Sequence, residues 1–178
     1  FNNVTFNNPS LVVTLSQAIT VNGIVRFTDL ATLNGANLNA VSSIFFTDSE
    51  WNGTGKIVAT GTSIGGSGVC GVSIDFNSSS MVLNGNLTLT GETSDLSVVG
   101  GSLNLSTRTI TLPRNFNCNN PYNIAYGTST VIFTGTTANI GSAYFYNLTF
   151  NNANLVANLP NNTTVYGVLT FTSLSQLN

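Results

Sequence analysis

The chain has 178 residues, with four basic and six acidic side chains, no histidine and a net charge of −2. That length suits one domain with a real core. Charged residues make up 6% of it, where about a quarter is ordinary, which excludes the clustered Lys/Arg that nucleic acid requires and argues against an anionic membrane surface as partner.

In chain order, the pattern opens with Phe1, Val4 and Phe6 set among Asn and Thr. The segment around Asp48, Glu50 and Trp51 breaks it and reads as a polar loop anchored by one Trp, with a carbohydrate platform as the sharper alternative. Lys56 to Thr60 is a β-branched strand. Gly61 to Gly68 resembles a phosphate loop only superficially: no Lys-Ser/Thr and no helix follow, so it is expected to be a loop excursion. Asn86 to Thr90, Ser102 to Ser106, Thr109 to Leu112 and Ser129 to Thr134 then alternate apolar with Thr, Asn or Ser, the mark of half-buried strands. Asn-Gly, Gly-Gly, Thr-Gly and Asn-Asn pairs between them are turn chemistry. Further on, Tyr144 and Tyr146 share a face opposite Phe145.

No stretch holds a helical apolar period, so the chain reads as a single all-β domain over 1–178. At 42% hydrophobic it lies far from the disordered regime. Short strands with frequent corners fit a parallel β-helix, or β-solenoid, of about 20–25 residues per turn. Its inward Leu, Val, Ile and Phe would form columns, and its outward Thr and Asn would form ladders. The scarcity of charge follows, since stacked strands about 4.8 Å apart would stack like charges. The alternative is a pilin-like β-sandwich with a donated strand.

Residues 1–34 recur as residues 145–178, with no gap and 17 of 34 positions identical. Phe6 maps to Phe150, Val21 to Val165 and Phe27 to Phe171, and these pairs are expected in equivalent inward positions. Like modules at both ends are the signature of a repeating object, either a covalent tandem array or units stacked head to tail. The expected assembly interface is Phe1, Val4 and Phe6 at one end and Phe145, Leu148, Phe150 and Phe171 at the other.

The phrase from Ser142 through Tyr144, Phe145, Tyr146, Asn147, Leu148, Thr149 and Phe150 to Asn152 carries a resemblance, together with Thr164 to Phe171 and the preceding Ser129 to Thr136. It resembles the repeats of secreted microbial adhesin-like and autotransporter-like β-helix proteins, most clearly over 129–178 and 1–35. The resemblance implies a surface-exposed or fibrous scaffold with no defined active site.

Chemistry is thin. Without histidine, Ser-His-Asp and Cys-His constellations and most zinc sites are impossible. The acids Asp29, Asp48, Glu50, Asp75, Glu92 and Asp95 are scattered, and only Asp48/Glu50 and Glu92/Asp95 are close in sequence. No catalytic residue, cofactor or metal site is expected, although a single Ca²⁺ held by loop carbonyls stays open. Arg108 and Arg114 are too few for a nucleic-acid stripe. Cys70 and Cys118 are expected to form one disulfide, the alternative being two buried thiols. Sequons lie at Asn3, Asn52, Asn77, Asn86, Asn104, Asn147, Asn161 and Asn162.

No run of 18 apolar residues offers a membrane-spanning helix. A start at Phe1 with no charged, then apolar, leader suggests a removed signal peptide or an excised segment. Amide and hydroxyl polarity suits the extracellular space or cell surface. The expected function is therefore an extracellular structural protein, the protomer or repeat unit of a filament or stalk whose partner is itself. A carbohydrate-binding adhesin domain stands second and an ice-binding solenoid third. A β-helix polysaccharide enzyme stands last.

Overall fold

The computed structural model describes residues 1–46, 56–59, 63–65, 68–70, 73–83, 85–90, 92, 94–173 and 176–178. Its strands stack as a β-solenoid. Every strand pair among the described residues is parallel, and the partners lie one turn apart in sequence, as in Val25 with Ile44 and Val131 with Leu148. That excludes the sandwich, whose sheets are built from antiparallel strands.

Three faces wind around the core. The first runs from Val4 through Val25, Ile44 and Ile64 to Leu83. It continues through Leu103 and Ile124 to Ala143–Phe145, which pairs with Thr163–Val165. The second stacks Gly68–Cys70, Leu87–Leu89, Thr109–Leu112, Thr130–Phe133, Asn147–Asn151 and Leu169–Ser173. The third climbs from Ile19 through Leu38, Ile57, Ile74 and Leu96 to Phe116 and Ile140. It ends with Thr137–Asn139, Val156–Asn158 and Gln176–Leu177.

Inward positions form the columns that the alternation predicts. Leu38, Ile57, Ile74, Leu96 and Phe116 are fully buried along the third face. On the second, Phe133, Phe150 and Phe171 stack ring on ring, 5.8 and 5.6 Å apart between centroids. Outward, Asn115, Asn139, Asn158 and Asn178 form an amide ladder, each Nδ2 donating to the preceding Oδ1 at 2.7 to 3.1 Å. Stacked amides satisfy one another where stacked charges would repel.

Not all strands are short. Val4–Leu15 and Ile24–Gly35 each run 12 residues, and Ser73–Leu83 runs 11. They pass a corner without a break because their paired register slips there, between Phe6 and Asn7 and again between Asn8 and Val12. A bulge bends a strand without ending it, so the corner after Phe27 carries no turn dipeptide, although the one after Phe6 keeps Asn7-Asn8.

The two terminal modules adopt one conformation. Val4 pairs with Val25 and Phe6 with Phe27, as Leu148 pairs with Leu169 and Phe150 with Phe171. The slip after Phe6 recurs after Phe150. Asn3 Oδ1 accepts from the Ile24 N–H at 2.8 Å, and Asn147 Oδ1 accepts from that of Val168 at 2.9 Å. Gly23 and Gly167 fill the same corner, where a Cβ would strike the backbone oxygen of Asn2 or Tyr146.

Yet the copies lie on different faces. Val4 starts the first face, while Leu148 belongs to the second; Ile19–Val21 lies on the third face, while Thr163–Val165 lies on the first. From one copy to the next the chain thus advances about seven strands along the first face, from Val4 to Ala143–Phe145, plus one face. The spacing of the modules is out of phase with the coil by a third of a turn.

Candidate functional site: the end layers and a tyrosine cluster

The last layer is an open apolar ledge. Leu169, Phe171 and Leu177 are 45 to 48% exposed there, while their equivalents Val25, Phe27 and Leu33 are fully buried because a further turn covers them. The end surface assigned from sequence to Phe145, Leu148 and Phe150 therefore lies one layer further on. Those three are buried inside the stack. Phe171 lies in the last layer, half exposed.

At the other end, Val4–Leu15 and Ile19–Val21 terminate their sheet, each paired on one side only among the described residues. Phe1 and Val12 are exposed there, Val4 is half-buried, and Phe6 is buried even in the first layer. Val21 is buried and Val165 half-buried, so the inward equivalence holds for Phe6/Phe150 and weakens towards the open end.

Tyrosines gather on the outside of the last turns. Tyr122 and Tyr144 meet edge to face at 5.5 Å, Tyr144 and Tyr166 at 5.9 Å, and Tyr126 stacks on Tyr166 at 4.8 Å. The Tyr122 hydroxyl beside it raises the Tyr144 pKa above its ordinary value. An open groove next to the cluster is lined by Tyr144, Pro121, Pro160, Asn161 and Thr163. Sequence reading paired Tyr144 with Tyr146 and missed the cluster. Tyr122, Tyr144 and Tyr166 are evenly spaced along the chain, as are Tyr126, Tyr146 and Tyr166. Both intervals are close to one turn, so a search at that period would have found the cluster.

Two of the acids are neutralised across adjacent turns. Asp75 pairs with Lys56 at 3.0 Å. Asp95 takes a two-pronged Arg114 contact, 2.7 Å to each oxygen, and accepts from the Asn115 N–H. Burial pushes the Asp95 pKa up, but Arg114 and Asn115 outweigh it and hold the carboxyl below its ordinary value. Glu92 is exposed. Asp48, Glu50, Trp51 and the sequon at Asn52 lie outside the described residues. Among the described residues no three His, Cys, Asp or Glu side chains gather in a metal-binding group.

The expected disulfide is not formed. Cys118 is a free, buried thiol that donates to the Asn120 carbonyl at 3.1 Å. Cys70 pairs with Leu89 on the second face and Cys118 with Val98 on the third, which separates them by a corner and by two layers of about 4.8 Å. A bridge needs Cα atoms within about 7 Å. Burial raises the Cys118 pKa, which keeps the thiol protonated and unreactive.

Several sequon asparagines serve the corners. Asn3, Asn86 and Asn147 each accept a backbone N–H from the following turn, and Asn104 accepts one two residues on. Asn161 and Asn162 stand exposed in the groove loop. The chain matches no family model, no curated protein and no solved structure.

Proposed function

We propose that this chain is an extracellular structural protein, the repeat unit or protomer of a filament or stalk that extends head to tail. One observation carries the reading: segments 1–34 and 145–178 share one register, bulge and corner chemistry, although they stand many turns and one face apart. A pattern that returns in the same conformation further along its own axis is one that can propagate. The resemblance to secreted adhesin-like and autotransporter-like repeats points the same way. Exposed Asn161 and Asn162 are the sequons best placed for a glycan. The test is the intact mass of the native polypeptide set beside electron images. Fibres built from units near 18.6 kDa, or from a chain many times heavier, support the reading. A lone globular particle of one unit sinks it.

A second reading, a carbohydrate-binding adhesin domain, has one observation in its favour. Tyr122, Tyr144 and Tyr166 present their rings beside a groove of amide and hydroxyl groups, the mixture that packs against sugar rings and bonds their hydroxyls. Oligosaccharide binding that disappears in Tyr144→Ala, with folding unchanged, would favour this reading.

A further inference from the structure

We propose that the upper surface of residues 129–144 is a seat for residues 1–34 of a second copy of this chain, and that residues 145–178 occupy it as a resident equivalent. The inference rests on the head-to-tail reading above and names its partner surface.

The seat holds its resident through a defined set of contacts. Val131, Ile132 and Phe133 lie opposite Leu148, Thr149 and Phe150; Thr137 lies opposite Val156, and Ala143 opposite Thr163. The Asn147 N–H donates to the Ser129 carbonyl, and the Val156 N–H to that of Thr136. Asn147 Nδ2 donates to Thr130 Oγ1 at 3.3 Å, and Asn152 Nδ2 to the Thr134 carbonyl at 2.8 Å.

The first module carries the same donors at most of these places, the exception being Thr14 where the resident has Asn158, whose Nδ2 donates to Asn139 of the seat. Asn3 stands for Asn147, Val4 for Leu148, Thr5 for Thr149, Phe6 for Phe150, Asn8 for Asn152 and Val12 for Val156. It already has the resident's conformation, so docking requires no refolding of the module. Its outer edge pairs with no strand among the described residues. An edge strand matched in register and side chains to a neighbouring ladder is a template for strand addition.

One of the differences between the two modules acts as a latch. Tyr166 binds the resident to Tyr126 and Tyr144, 4.8 and 5.9 Å away. The first module has Asn22 at that position, and Asn2 where the resident has Tyr146. The tether gives the resident a high effective concentration over its own seat, and the tyrosines add contacts that an incoming module lacks. Exchange is therefore gated at Tyr166. Each exchanged copy would continue the solenoid by about seven turns and one face. In a covalent tandem array, residues 145–178 would themselves be the first module of the next repeat.

The test uses the full chain with Ile132→Cys and Thr5→Cys, a pair that becomes directly opposed only when a second copy's module fills the seat. The native thiols are replaced by Cys70→Ser and Cys118→Ser. Adding Tyr146→Asn and Tyr166→Asn gives the resident the first module's residues at these two outer positions and should leave folding intact, as read by circular dichroism. Mild oxidation should then yield a ladder of linked species with a mapped 5–132 crosslink, several-fold more than with the tyrosines in place. Phe6→Asp should abolish the ladder. A folded latch variant that stays monomeric and uncrosslinked overturns the seat, as does a ladder that survives Phe6→Asp. Native fibres without the 5–132 crosslink would keep the filament and overturn the seat. The crosslink without native fibres would do the reverse.

Discussion

At Asn147 a single side chain holds three neighbouring turns together. Its Oδ1 accepts the Val168 N–H above, and its Nδ2 donates to Thr130 Oγ1 below. A corner leaves backbone donors outside any ladder, and an amide fixed one turn away satisfies them. Asn147→Ala should therefore cost about 1–2 kcal/mol by urea unfolding. Asn147→Asp, which keeps the acceptor, should cost less; equal losses would show that the corner bond contributes nothing. Asp95 makes the second prediction at this scale. Burial raises its pKa and the Arg114 pairing lowers it by more, so the folded value is depressed. A depressed carboxylate contributes stability that is present above its unfolded pKa and is lost as pH falls through the folded value. The melting temperature should hold steady down to about pH 4 and drop below it. Asp95→Asn should lower the neutral-pH value and flatten the acid drop, and an unchanged acid limb would contradict this role for the pair.

Strands and corners differ in how clearly they can be read from sequence. The alternation in Leu87–Leu89, Thr109–Leu112 and Thr130–Phe133 is legible because a strand with one wet face must place apolar residues two apart, and each of these buries its alternate residues. Bulged corners such as the one after Phe27 leave no such mark, since the strand runs on through Thr28 in a slipped register with no turn dipeptide. The face on which a repeat lands is equally hidden. The turn from Val131 to Leu148 is several residues shorter than the one from Phe116 to Ile140, so a constant offset between modules fixes no phase until the pairings are known. The same uncertainty misplaced the apolar end by one layer and put Cys70 and Cys118 on one disulfide. Position within a column should set the cost of cutting it. Phe133→Ala, in a fully enclosed ring stack, should cost about 3–5 kcal/mol. Phe171→Ala, 48% exposed at the end of the same stack, should cost less than half of that. Equal shifts in the urea midpoint would mean that the last layer is covered in solution.

For the whole molecule, an axial advance of about seven turns and one face from Phe1 to Phe145 has a geometric consequence. With layers about 4.8 Å apart, each repeat rises about 35 Å and turns by a third of a revolution on top of the winding. Three repeats restore the starting face after about 105 Å. Such a prism has three interchangeable faces, which is why one module serves on two of them. Helical reconstruction or fibre diffraction of oriented native material tests this most directly. Continuation of the solenoid predicts a meridional reflection at about 4.8 Å, a rise of about 35 Å per repeat and a true repeat of about 105 Å. Fibres whose rise bears no relation to that layer spacing, or whose strands run along the fibre axis instead of across it, would contradict it.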